Sequence, residues 1–152
     1  MSVRPTRTLG LEFTSEFDML DFVQVVSDHL SRDLGFDDDV MHWVGVAVRE
    51  GVINAITHGN GRDRAKHVFV EFQCVTSVAT SELVIRVRDQ GPGFDPDALA
   101  DPLAPENLLK ANGRGIFLIR SFMDDVRLAR APEGGMEISM TKRAPSGGLC
   151  LP

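Results

Sequence analysis

The spacing of apolar residues turns from a long helical stretch to a strand-like one at Gly59-Asn60-Gly61, and that change restricts the fold of this chain more than any other feature. Upstream, Met19, Phe22, Val23, Val26, Leu30 and Leu34 recur at helical spacing, behind Ser15 as a helix cap and ahead of Gly35 as a stop. A second helical apolar face runs over residues 40–58, preceded by Asp37, Asp38 and Asp39, whose negative charge favours a helix start. Downstream, residues 67–75 and 82–87 are rich in β-branched side chains with partial alternation, and the small polar turn between them predicts an antiparallel hairpin. Residues 126–129 and 136–140, joined around Gly134-Gly135, predict another. Leu9, Leu11 and Phe13 alternate in a short strand over 8–14, residues 89–105 are loop-like in their Gly, Pro and Asp content, and 116–123 reads as a helix. Helices ahead of antiparallel strands imply an α+β fold: a two-layer sandwich with helices packed on one face of a mixed, mostly antiparallel sheet. A doubly wound nucleotide fold is disfavoured.

A chain of 152 residues suits one domain, expected over 1–143, with a flexible tail rich in Pro, Ser and Gly over 144–152. No apolar run approaches the roughly 20 residues that cross a bilayer, and the amino terminus lacks a secretory pattern, so the expected location is the cytoplasm, without membrane attachment. Sixteen Lys and Arg against 22 Asp and Glu leave a net charge of -6, which repels a phosphate backbone and argues against nucleic acid as a direct partner. Cys74 and Cys150 are too few for a disulfide framework.

Three short segments carry the chemistry. Glu50, Asn54 and His58 are spaced by four, so each advances about 40° around a regular helix and the three share a face. The carboxylate and the amide oxygen are hard donors suited to Mg²⁺, directly or through its waters, and Glu50 is alternatively a proton acceptor for an attacking hydroxyl. The same spacing also fits a solvated polar stripe. Asp89-Gln90-Gly91-Pro92-Gly93-Phe94 follows a strand, where two glycines let backbone approach a flat ligand and Asp89 can accept from an exocyclic amine, although Asp, Gly and Pro are ordinary turn formers too. Gly113-Arg114-Gly115 opens the helix over 116–123, placing free amides, the positive helix end and the Arg114 charge where phosphates could lie. Neither a Gly-x4-Gly-Lys-Ser/Thr loop nor a dinucleotide fingerprint is present.

Glu50-x3-Asn54-Ala55-x2-His58-Gly59, Asp89-x-Gly91-x-Gly93-Phe94 and Gly113-Arg114-Gly115, in that order, resemble the N, G1 and G2 boxes of the GHKL (histidine-kinase-like) ATPases. The run from Gly113 to Val126 resembles the anti-sigma-factor serine/threonine kinases of that superfamily, and the resemblance spans residues 8–142. It implies a Bergerat-type ATP-binding fold that uses ATP and Mg²⁺. Asn54 becomes the magnesium ligand, Glu50 the catalytic base or water positioner, and Asp89 the acceptor of the adenine amino group. Gly91 and Gly93 shape the adenine pocket, and Gly113 and Gly115 border the phosphates. His58 matches a family position and is either a phosphate contact or a backbone-bonded helix end. Arg114 enters on charge alone. The implied partners are a sigma factor and a small phosphorylatable antagonist, between which the protein switches, and a second copy in a homodimer. Competing readings are a nucleotide-gated binding module without phosphoryl transfer and a histidine-kinase-type catalytic domain; the latter is disfavoured by the lack of dimerisation helices.

Overall fold

The structure is a computed structural model that describes residues 6–77, 80–93 and 111–145, the side chains of 111–114 and 145 excepted. Strand β1 (Arg7–Thr14) leads through a short 3-10 turn (Phe17–Met19) into helix α1 (Leu20–Asp33). Helix α2 (Asp38–Asn54) continues into a π-turn (Ala55–Gly59), strands β2 (His67–Thr76) and β3 (Thr80–Arg88), helix α3 (Ala111–Phe122), and strands β4 (Asp125–Arg130) and β5 (Met136–Pro145).

Local chemistry explains the helix limits. Gly35 sits at φ 79°, and the Phe36 amide donates to the Ser31 carbonyl at 3.0 Å, a left-handed closure that glycine adopts without a Cβ penalty. Asp37 caps α2 by accepting from the Val40 amide at 2.8 Å, with Asp38 and Asp39 in the first turn. Ser15 does not cap a helix. Its side chain is buried, donates to the Lys66 carbonyl at 2.7 Å and accepts from Asn60 at 2.8 Å, because β1 delivers it under the loop before β2 rather than to a helix end.

The five strands run in the order β1-β2-β3-β5-β4, and every pairing is antiparallel rather than mixed. Register puts Phe13, Val68 and Val70 with Val87 and Ile138 on one face, and Phe72 with Ile85 and Met140 beside them. Against that face pack Val23, Leu30 and Leu34 from the α1 region, Val44, Val48 and Val52 of α2, and Ile119 of α3, all buried. Each such side chain contributes about 1.5–3 kcal/mol of burial. At the α2–α3 contact Trp43 stacks on Phe122 with ring centroids 4.2 Å apart.

The other sheet face is open and polar. Arg86 bonds Glu71 at 3.0 Å, and the Arg88 guanidinium lies 3.9 Å over the Phe69 ring while pairing with Glu133. A depression of about 360 Å³ lies there, lined by Gly10, Glu12, Phe69, Arg86 and Arg88 among others, and none of the candidate site residues borders it. Strand β5 reaches Pro145 with Ala144 buried; residues 146–152, including Cys150, lie outside those described. Cys74 is a buried thiol of β2. No described helix is long and apolar enough to cross a membrane.

Candidate functional site

The site is assembled where the end of α2, the loop after β3 and the start of α3 meet above the sheet. Glu50 and Asn54 are half-buried on α2, and among the described residues neither side chain has a hydrogen-bonding or ionic partner. Two polar groups half-removed from water and without partners among the described residues are suited to a ligand. Asn54 closes the regular helix. Beyond it the Asn60 amide bonds the Ala55 carbonyl at 2.8 Å, an i→i+5 closure of the kind that recurs at functional sites. The wider winding means that the step from Asn54 to His58 rotates less than in a regular α-helix. His58 ends exposed instead of continuing the Glu50–Asn54 face.

Asp89 is the buried acid of the site, 5% exposed. Its Oδ1 accepts from the Gly91 amide at 2.9 Å and the Met136 amide at 3.1 Å, and its own amide donates to the Met136 carbonyl at 3.0 Å. Three glycines let backbone close around it. A Cβ at Gly59 would overlap the Asp89 carboxylate, one at Gly91 would overlap the Gly59 carbonyl, and one at Gly135 would overlap the Asp89 carbonyl. Gly93, at φ 71°, needs its left-handed conformation to turn the loop onto the β4–β5 hairpin. The carboxylate is thus held by one oxygen while the other lies toward Gly59, an arrangement able to accept from a flat, amine-bearing ligand. Phe94 and the lid up to 110 lie outside the described residues.

Helix α3 begins at Ala111, not at Ile116, so Gly113 and Gly115 lie inside the helix rather than in a loop ahead of it. The reason is packing. Gly115 seats directly on Asn54, where an added Cβ would stand 2.7 Å from Nδ2, so a glycine unfavourable to a helix allows α3 to dock on α2. The amide of Gly113 falls in the first turn, among those without an intrahelical partner, whereas that of Gly115 falls beyond it. The Arg114 side chain is not among those described.

All three motif segments therefore converge through direct contacts: Gly59 on Asp89, Gly91 on Gly59, and Gly115 on Asn54. Among the described residues no three His, Cys, Asp or Glu side chains gather as a metal cage. One amide oxygen with a neighbouring carboxylate instead fits Mg²⁺, which keeps waters and takes most of its remaining ligands from phosphates. Sequence reasoning missed Asn60, Gly135 and the Met136 amide. Asn60 sits between two glycines in a helix-breaking run, and Gly135 in a hairpin turn, contexts in which turn chemistry accounts for the residue type.

The histidine kinase-like ATPase domain family matches residues 15–142. An anti-sigma F factor of Oceanobacillus iheyensis is 32% identical over 139 residues, covering 89% of this chain and 91% of that protein. The serine-protein kinase RsbW of Bacillus licheniformis is 29% identical over 126 residues, covering 79% and 75% respectively. The protein of the same name from Bacillus subtilis is 25% identical over 140 residues, covering 88% and 84%.

Proposed function

The chain belongs to the histidine kinase-like ATPase family, and we propose that it is an ATP-dependent protein serine/threonine kinase that doubles as an anti-sigma factor in the cytoplasm. It switches between a sigma factor and a small antagonist that it phosphorylates. The observation that carries this reading is the convergence of Asn54, Asp89 and Gly115 around one site, in a chain whose relatives bear both names, anti-sigma F factor and serine-protein kinase.

Each residue has a task that its environment supports. Asp89, anchored through Oδ1, accepts from the adenine amino group through its other oxygen. Gly91 and Gly93 keep the loop thin enough for the base to lie against it. Asn54 would hold Mg²⁺ through its amide oxygen, and Glu50 would support the ion through water or act in its own right. Mg²⁺ supplies charge neutralisation on the triphosphate. Glu50, without a partner among the described residues, takes the proton of the attacking serine hydroxyl as its oxygen bonds to the γ-phosphorus and the bond from that phosphorus to the β–γ bridging oxygen breaks, with ADP as the leaving group. The first-turn amides around Gly113, the positive end of α3 and Arg114 attract the phosphates, with Gly115 holding α3 close and His58 at the exposed rim.

Partner release follows from charge. Phosphorylation adds about -1.5 to -2 charges to the antagonist, against a chain already at -6. The protein acts as a homodimer on this reading.

The test replaces Glu50 by Gln and follows label from γ-labelled ATP to a candidate antagonist. Loss of transfer with ATP affinity intact supports the kinase. Absence of transfer by the unaltered protein, with ATP still bound, leaves a nucleotide-gated clamp instead.

A further inference from the structure

Asn60 is 3% exposed and belongs to none of the three motif assignments. Its Nδ2 donates to Ser15 Oγ at 2.8 Å and to the His67 carbonyl at 2.9 Å, and its Oδ1 accepts from the Gln90 amide at 2.7 Å. Both amide hydrogens are used and the oxygen is occupied, so this side chain accepts no rotation without a loss. Ser15 Oγ passes the network on to the Lys66 carbonyl at 2.7 Å. One buried amide thereby ties the end of β1, the exit of the π-turn, the entry to β2 and the loop after β3.

Two of its three bonds are scaffold bonds, and the third reaches the site. Gln90 adjoins Asp89, and Asn60 adjoins Gly59, whose Cα leaves no room for a Cβ against the Asp89 carboxylate. Among the described residues the Asn60–Gln90 bond is the hydrogen bond that joins the end of α2 to the 89–93 loop. It sets the distance between the helix carrying Asn54 and the loop carrying Asp89. From this we infer that Asn60 is a positioning residue that determines base specificity, by fixing where the Asp89 carboxylate stands relative to the rest of the site. The inference rests on the ATP reading above.

The chemistry supplies a readout that scaffolding alone does not move. A fixed carboxylate accepts from the exocyclic amine of adenine and opposes the carbonyl oxygen that guanine carries at the same ring position. Releasing the loop weakens ATP and leaves GTP as it was, whereas loosening the whole fold weakens both alike.

The experiment measures ATP and GTP dissociation constants in Mg²⁺ for the wild type, Asn60→Ala, Gln90→Pro and Ser15→Ala, each checked for native circular dichroism. Gln90→Pro deletes the donor of the critical bond together with the Oε1 that accepts from the His67 amide at 2.7 Å, so Gln90→Ala, which loses only the latter and should keep the preference, is measured beside it, and the pair carries the test if Asn60→Ala does not fold. Expected is a fall in ATP-over-GTP preference of about tenfold in Asn60→Ala and Gln90→Pro, as for one lost hydrogen bond to a charged group. Ser15→Ala is expected to lower the thermal midpoint with the preference unchanged. An unchanged preference in the folded Asn60→Ala or Gln90→Pro protein overturns the inference, as does an equal fall in Ser15→Ala. A wild type that binds both nucleotides equally overturns it too, while one that binds neither overturns the ATP reading beneath it.

Discussion

Replacing Gly59 by Ala isolates the contact on which the proposed base pocket depends. Gly59 is not among the residues with positive φ, so alanine brings no backbone strain, and inside a helical turn it is about 1 kcal/mol better than glycine. What it brings is a Cβ that overlaps the Asp89 carboxylate. That carboxylate accepts from the Gly91 amide at 2.9 Å and the Met136 amide at 3.1 Å, so moving it aside sacrifices two bonds to a charged acceptor. At about 1.5–3 kcal/mol per bond, less the helix gain, Gly59→Ala should lose about 2–5 kcal/mol of folding stability. On the proposed role of Asp89, ATP loses its bond to the same carboxylate, and its dissociation constant should rise about ten- to a hundredfold. Urea unfolding and calorimetric titration read the two effects. A cycle with Asp89→Ala locates them, since Gly59→Ala should cost clearly less once the carboxylate is gone, with only the 2.8 Å approach to the remaining Asp89 Cβ left. Equal losses in both backgrounds, or a Gly59→Ala protein with wild-type stability and affinity, would refute the reasoning.

Other substitutions test other parts of the structure. The Ser27 and Ser31 hydroxyls are buried on α1 without hydrogen-bond partners among the described residues, so Ser27→Ala should raise stability in urea by about 1 kcal/mol; a loss would mean that the hydroxyl is satisfied. Asp37→Ala removes the α2 cap and should cost about 1 kcal/mol in the same assay without altering ATP affinity. Gly115→Ala places a Cβ 2.7 Å from Asn54 Nδ2 and should cost about 1–3 kcal/mol by overpacking. Gly10→Ala, with nothing within 4 Å of the added carbon, should be silent; a comparable cost there would show that the Asn54 contact is not the cause.

Periodicity made most of the fold legible, because one buried sheet face forces alternation and two helix faces force a repeat near 3.6. Leu9, Leu11 and Phe13 announced β1, and the β-branched runs over 67–75 and 82–87 announced the β2–β3 hairpin. The π-turn was hidden, since Ala55 to Gly59 differs from a regular helix only in which carbonyl each amide reaches, and no side chain marks that choice. The early start of α3 was hidden for the opposite reason. Two glycines argue locally against a helix, and only the approach to Asn54 explains Gly115. The candidate site was legible where it used motifs, at Glu50, Asn54, Asp89 and the glycines of 91–93. It was illegible at Asn60 and Gly135, whose partners lie far along the chain and whose residue types suit turns equally well.

The central claim is that residues 50–60, 89–93 and 113–115 form one ATP site, and calorimetric titration of Mg-ATP into the wild type, Asn54→Ala and Asp89→Ala tests it most directly. One ATP per wild-type chain is expected, with affinity lowered at least about tenfold in each variant, as for loss of a bond involving a charged group. Unaltered affinity in folded Asp89→Ala, or no binding by the wild type, would contradict it.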